Sequence, residues 1–506
     1  MIRAQSVLAR VMTYGNALIV LCLAIYFLFI PGLLVMRNLG DPELRTGDIP
    51  REAWRLHRYL APRYERWARA RIASQRAADV HYLNVSGTEW PLFGSVFYLW
   101  GTEHLQEAWE EDRSRSAEAP SEYARGAIEA CKDLILDPTH HSWVKRHWGD
   151  DYMHDQNVFF RSLVIAGLTS YEKLVGSGEY LPLLRDQIDT LAKELDGSPY
   201  GVLYDYPGEC YPIDVFAAVA WIRRADAVAG ADHSAFVARE RRAFQGNRLD
   251  RNGLIPWLVN PETGEQYQAS RGIVNSHILV FAPQLYPDLA RVWYERYEAH
   301  FWQETWWAAG FREFYRDRPG GNWTYDIDAG PIVGGFSPSA NAFGVAAARR
   351  NGRLDHAYTL GTQLLTACWP LPDGRLLGPQ ILSDCEHAPY LGETAILWQL
   401  TETPPEGISI VRGGNLPGSV YIGLAFYFGG SLLVFLLIVL RLRRFHHSRG
   451  LGRFLGMRVQ LPLWVGLLVA APLLLSRDSI ALGAVALLVA QVMPVLRTRG
   501  TCTESD

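Results

Sequence analysis

This chain has few cysteines, little period-two alternation and no long run of one charge, and each shortage narrows what it can be. The six cysteines among 506 residues include no C-x-x-C pair, which argues against a structural zinc site, so no metal is expected. The formal charge is only −4 and the basic residues are scattered, so there is no nucleic-acid footprint. Strand-like alternation is confined to short pieces near 253–258 and 376–382, which disfavours a sheet-based fold. The most informative shortage is local: residues 15–36 contain no charged side chain. That run is longer than the roughly 20 helical residues a bilayer core requires.

Similar apolar runs cover 418–440, 461–475 and 480–496. The sequence therefore predicts four transmembrane helices: a cytoplasmic tail and first span over 1–40, a water-facing catalytic domain over 41–417, three spans over 418–496, and a second cytoplasmic tail over 497–506. The loop after the second span carries Arg441, Arg443, Arg444, Arg449, Arg453 and Arg458 with no acidic residue. Arginine-rich short loops stay in the cytoplasm, which puts the large domain on the outer, periplasmic face of a cell inner membrane. Arg3, Arg10, Arg497 and Arg499 agree, whereas Arg37, Arg45 and Arg51 pull the other way. A cleaved signal peptide is the alternative for the first span, but its apolar core is long and no small-x-small site follows closely. An outer location would permit disulfides among Cys131, Cys210, Cys368 and Cys385, with no pairing assignable from sequence.

Across the water-facing block, helix-period patterns alternate with Gly, Pro and Asp punctuation. Helices are predicted near 50–77, 91–112, 120–135, 155–175, 179–195, 211–229, 232–245, 272–283, 287–303, 337–351, 354–366 and 390–402. About twelve antiparallel helices with short turns on one side and longer loops on the other suggest an all-α, (α/α)6 toroid, whose inner helices would converge on a central pocket. The longer loops hold the unusual residues, as loops on a rigid scaffold usually do. They are Gly87-Thr88-Glu89-Trp90-Pro91, the stretch from His147 to Asp155, Tyr204-Asp205-Tyr206-Pro207-Gly208-Glu209-Cys210-Tyr211-Pro212, Ser270-Arg271-Gly272 with Asn275 and His277, and Asn322-Trp323-Thr324-Tyr325-Asp326-Ile327-Asp328. Each precedes or opens a predicted helix.

At these loops the chain resembles the linalool dehydratase/isomerase family. The resemblance runs over some 250 residues through Asp155-Gln156-Asn157-Val158-Phe159-Phe160, Gly201-Val202-Leu203-Tyr204-Asp205 with Glu209-Cys210, Gly253-Leu254-Ile255-Pro256-Trp257 with Asn260-Pro261-Glu262-Thr263-Gly264, and Asp326-Ile327-Asp328-Ala329-Gly330-Pro331 ahead of Ala340-Asn341-Ala342-Phe343-Gly344. It implies an (α/α)6 fold acting on allylic terpene alcohols without a cofactor. By the same resemblance Glu89 matches the family's acidic residue in type, and Cys210 its second cysteine. Tyr204, beside Asp205, falls where the first cysteine would be. Leu163 falls at the histidine position, for which His154 would substitute from one turn earlier. The apolar spans are similar to those of the membrane-bound linalool isomerases, which interconvert linalool and geraniol.

Such a reaction needs an acid to protonate the leaving hydroxyl, and a base for water or a nucleophile for carbon. Glu89 beside Trp90 would stay a proton donor near neutrality if desolvated. Cys210 would attack carbon or relay a proton, its thiolate favoured by His154 or by the helix start at Tyr211. Trp90, Phe159, Phe160, Tyr204, Tyr206 and Trp323 would line an apolar pocket and stabilise cationic character, with His277 a second-tier contact. The implied partners are a small hydrophobic alcohol and membrane lipid, with room for a homo-oligomer that completes the pocket.

Each residue also has a structural reading. Glu89 would be a first-turn acid favoured by the helix dipole, Cys210 a core residue or a disulfide partner of Cys131, and His154 an ordinary surface histidine. Asp205 and Glu209 would be caps or solvated acids. Asp326 and Asp328 would cap the following helix or brace the Gly330-Pro331 turn. Trp302, Trp306 and Trp307 would be core or a membrane-facing belt. The rival function is a polysaccharide-active lyase, hydrolase or epimerase of the same fold, with Glu89 and Asp326 or Asp328 as its acid/base pair.

Overall fold

The computed structural model describes residues 2–447, so the apolar runs at 461–475 and 480–496, most of the basic loop and the 497–506 tail lie outside the described residues. The chain divides into two compact units, one formed by Leu34–Gly423 and the other by the residues up to Leu33 together with the chain from Leu424 onward. Two described helices are long and apolar enough to cross a membrane, Thr13–Leu39 and Gly418–Arg443, at 27 and 26 residues. Within the terminal unit, Gly32 lets its helix approach the second closely. A Cβ there would lie 2.9 Å from the Phe428 ring, which also meets Phe29 edge-on at 5.9 Å.

The larger unit is built from helices, as the scarcity of alternation predicts. Its principal helices, in chain order, are α1 (Arg51–Ser74), α2 (Trp90–Glu111), α3 (Arg125–Leu136), α4 (Val158–Val175), α5 (Leu181–Gly197), α6 (Pro212–Ala229), α7 (Ser234–Glu240), α8 (Gly272–Leu285), α9 (Pro287–Phe301), α10 (Pro338–Arg350), α11 (Leu354–Ala367) and α12 (Leu391–Thr401). The even-numbered members are buried almost all round; α4 is buried from Val158 to Glu172 without a break. Most of the odd-numbered ones bury a single stripe, although α11 is buried from His356 to Thr362 without a break. In α1 the stripe runs through Ala53, Leu56, Leu60, Ala61, Tyr64 and Ala68, the spacing of one helical face.

The even helices pack pairwise in chain order, α2 on α4, α4 on α6, α6 on α8, α8 on α10, α10 on α12, and α12 packs back on α2. Close approach at the last contact depends on Gly101, where a Cβ would come within 2.8 Å of Leu397. Prolines at the first turns of α2, α5, α6, α9 and α10 fix where these helices begin. Ser337 caps α10 by accepting from the Ala340 N–H.

Three antiparallel hairpins interrupt the helices: β1 (Leu258–Val259) with β2 (Gln266–Gln268), β3 (Trp302–Glu304) with β4 (Ala309–Phe311), and β5 (Trp323–Asp326) with β6 (Gly330–Val333). Two sequence expectations are corrected here. The alternation near 376–382 is a short helix, Leu377–Leu382, and the predicted helix at 155–175 starts only at Val158 because Gln156 and Asn157 have left-handed backbones. Of the cysteines for which disulfides were open, Cys131, Cys210 and Cys368 are buried free thiols.

Candidate functional site

The loops that open α2, α4 and α6 meet, and the meeting point is Glu89. A turn capped by Asn84, whose side chain accepts from the Gly87 N–H, delivers Glu89 to the N-terminus of α2. Arg71 donates to the Gly87 carbonyl at 2.8 Å and holds that turn from below. Opposite, residues 205–209 fold back on themselves through Asp205 N–H to Glu209 O (2.9 Å) and Glu209 N–H to Tyr206 O (2.9 Å). Gly208 supplies the left-handed residue that so tight a return needs, at φ 87°. This loop projects Tyr206, whose hydroxyl donates to Glu89 Oε1 at 2.5 Å.

Among the described residues no cation pairs with the Glu89 carboxylate. Desolvation pushes its pKa up to about 8; the Tyr206 hydrogen bond opposes that, and the nearby Asp328, Asp214 and Glu209 charges add to it. Asp214, in the first turn of α6, is raised to about 7 by burial and by Asp328. Asp328, at the exposed β5–β6 turn, is raised to about 6 by desolvation and Asp326, against Arg271. Solvent reaches all three acids although protein surrounds them.

From Tyr206 an aromatic cluster continues into the core. A series of neighbouring rings runs from Tyr206 to Phe159 (6.0 Å), Phe93 (5.1 Å), Phe97 (5.3 Å), Trp398 (5.0 Å) and Phe343 (5.8 Å from Trp398) to His277 (5.4 Å). Trp143 and His147 face the other side of Tyr206 at 6.1 and 5.4 Å. His277 is buried, its pKa lowered to about 4 by desolvation, and its Nδ1 has no hydrogen-bond partner among the described residues. It is a neutral polar point in an otherwise apolar wall.

Cys210 lies near this group but in a different state from the one expected. It is fully buried, its backbone carbonyl accepts from Val259 N–H, and burial with the Asp205 and Asp214 charges pushes the thiol well above its ordinary value. It is therefore a neutral thiol and not a thiolate nucleophile. Asp205 is buried beside it and braces the loop, Oδ2 accepting from Tyr211 N–H at 2.6 Å; burial and Asp214 raise its carboxyl.

Several expected residues lie elsewhere. His154 faces solvent, bonded to Asp186 at 2.9 Å and Asp151 at 3.3 Å, which raises its pKa; the surface pairing takes it out of the site. The Tyr204 hydroxyl points to Glu262 at 3.4 Å, because backbone bonds to Gln156 and Val158 turn the residue outward. Phe160 is consumed by the core, against His141 and Tyr152. Trp323 is exposed on β5. Trp90 is half-buried in the first turn of α2. Arg271, Asn275 and Asp326 are braces: Arg271 pairs with Glu313 and Asp326, both at 2.9 Å, Asn275 donates to Ser270, and Asp326 accepts from the Asp328 and Ala329 N–H groups.

Residues the sequence reading missed are Asp214, Phe93, Trp143, His147, Phe343 and Trp398. Asp214 had a signal, an acid two residues after the Tyr211-Pro212 helix start; the aromatics had none beyond helix periodicity. Among the described residues no group of three or more His, Cys, Asp or Glu side chains is placed to hold a metal ion. No protein-family model matches the chain, and no curated protein sequence matches it.

Proposed function

We propose that this is a membrane-anchored isomerase of the linalool dehydratase/isomerase type, interconverting allylic terpene alcohols such as linalool and geraniol on an (α/α)6 toroid. The cyclic packing of six buried helices, each preceded by an amphipathic one, supports the toroid. The observation that carries the chemistry is Glu89, a carboxyl that stays protonated near neutrality among aromatic rings.

In this reading neutral Glu89 gives its proton to the substrate hydroxyl, and the C–O bond breaks to leave water and an allylic cation. Phe93, Phe159 and Tyr206 stabilise that charge through their π faces, each by on the order of 1 kcal/mol. Water then bonds to the other end of the allyl system and loses a proton to Asp214, whose pKa of about 7 suits a base at neutrality. Loss of a carbon-bound proton to the same base would give a diene, the dehydratase outcome. Cys210 serves as a neutral neighbour of Asp205 and Asp214, replacing the nucleophilic role expected of it. The cycle needs no cofactor. The spans Thr13–Leu39 and Gly418–Arg443 would hold the site at the bilayer where terpenols partition, with the arginine-rich segment from Arg441 in the cytoplasm and the larger unit on the periplasmic face of the inner membrane.

One observation favours the second reading, a polysaccharide-active enzyme: three raised carboxyls lie at an open face with exposed Trp323 and Tyr325 near Asp328. Membranes carrying the full chain, incubated with linalool and with geraniol and assayed for volatiles, decide between them. Interconversion lost in Glu89→Gln supports the isomerase; folded protein that leaves both alcohols unchanged but cleaves glycan overturns it.

A further inference from the structure

The β5–β6 hairpin is amphipathic the wrong way round for a soluble protein. Its register pairs Trp323 with Val333, Thr324 with Ile332, Tyr325 with Pro331 and Asp326 with Gly330. Because side chains alternate between the two faces of a hairpin, Ile332 and Asp326 share the inner face with Thr324, and Trp323, Tyr325, Pro331 and Val333 share the outer one. On the inner face Ile332 is buried with Phe314 and Ala329, and Asp326 is paired to Arg271. The outer face is apolar and in solvent, with Trp323 73 %, Tyr325 67 % and Val333 41 % exposed, and Ile327 at the turn 45 % exposed. An apolar face of this kind on an otherwise well-packed unit marks an interaction surface.

The neighbourhood of this face identifies what covers it. Val333 donates its N–H to the Phe336 carbonyl, and the Phe336 ring meets Trp307 edge-on at 5.4 Å. The adjacent Trp306 is 82 % exposed. On this same Trp306-Trp307 turn sits the start of the 26-residue apolar helix: Ser419 N–H donates to the Trp307 carbonyl at 2.5 Å, and a Cβ at Gly418 would lie 2.4 Å from the Trp306 carbonyl. The exposed aromatic surface is thus continuous with the first residues of a segment suited to a bilayer. Trp and Tyr concentrate at the level where such a segment leaves the lipid.

We propose that the outer face of the β5–β6 hairpin, together with Trp306, rests in the interfacial layer of the bilayer. This rests on the reading of Gly418–Arg443 as a membrane span. The turn between β5 and β6 carries Asp328, which lies close enough to Glu89, Asp214 and Tyr211 to act on all three.

The test uses the full-length protein in phosphatidylcholine vesicles, with a photo-crosslinking phenylalanine analogue replacing Trp323, Tyr325, Leu432 or Tyr267 in turn. Leu432 lies within the apolar helix, and Tyr267 is an exposed aromatic on β2 of the larger unit. Lipid adducts at 323 and 325 several-fold above those at 267, and comparable with 432, are expected. Adducts at 432 with only the 267 level at 323 and 325 overturn the proposal and leave the span standing. Background at 432 as well removes the span, and the proposal with it. A chain-to-chain adduct at 323 would assign the face to a second copy and also overturns it.

Discussion

Helix α2 carries Glu89 at its N-cap and Glu103 towards its C-terminal half, and the two behave in opposite ways. Glu103 lies about 20 Å along the helix from Glu89. It is more deeply buried, yet Arg224, Lys173 and His104 outweigh that cost and hold it at about 2. Glu89 meets a phenol and more acids, and rises to about 8. One helix therefore joins a cation-paired glutamate, which stabilises the fold, to an unpaired one that keeps a proton. Partner choice, more than depth of burial, separates structure from chemistry here.

The strongest way to break this comparison is Glu89→Gln. Terpenol interconversion by membranes should fall by about 10²–10⁴-fold, the worth of a general acid. The same change should stabilise the fold near pH 8. A raised acid makes the unfolded chain bind fewer protons than the folded one between about pH 4.5 and 8, so native Glu89 costs stability as pH rises through that window. A higher melting temperature at pH 8 than at pH 5, relative to wild type, would check it.

Glu103→Gln should do the reverse: activity is retained per folded molecule, and stability falls by about 2 kcal/mol, less than for a fully dry pair because Lys173 reaches solvent. Its folded pKa lies below the unfolded one. The contribution is therefore present above about pH 4.5 and disappears as pH falls toward 2, which denaturant titrations at pH 3 and 7 would show.

Tyr206→Phe sharpens the comparison at the Glu89 end. The lost hydrogen bond was lowering the Glu89 pKa, so the alkaline limb of the rate profile should move up, whereas Asp214→Asn should move it down. A Tyr206→Phe limb that shifts downward would contradict the assignment. The smallest effects are expected at His154→Ala and Tyr204→Phe, with rates within about threefold of wild type because both side chains face solvent partners.

The same contrast explains which features were legible in the sequence. The helices of the larger unit announce themselves because each needs a buried stripe or an apolar face, bounded by Pro and Gly, and this is a local property of residue order. Glu89 was legible because a carboxylic acid next to Trp90 and Pro91 opens an apolar helix. His154 misled because it lies one turn before α4, but beyond the left-handed Gln156 and Asn157 it is bonded outward to Asp186. Burial and the Asp205 and Asp214 carboxyls hold the Cys210 thiol neutral instead of the expected thiolate, and nothing local reveals that these acids would stand beside it.

Sequence alone determined the helical class, the apolar segments and the loops where polar residues gather, because hydrophobic periodicity and backbone constraints act over a few neighbours. Only the tertiary structure decided that Tyr206 would bond Glu89, that Asp214 and Asp328 would crowd them, and that Glu103 would find Arg224. Those encounters join residues more than a hundred positions apart, and a carboxyl's pKa depends on which charges and dipoles finally stand beside it, information that no stretch of local sequence contains.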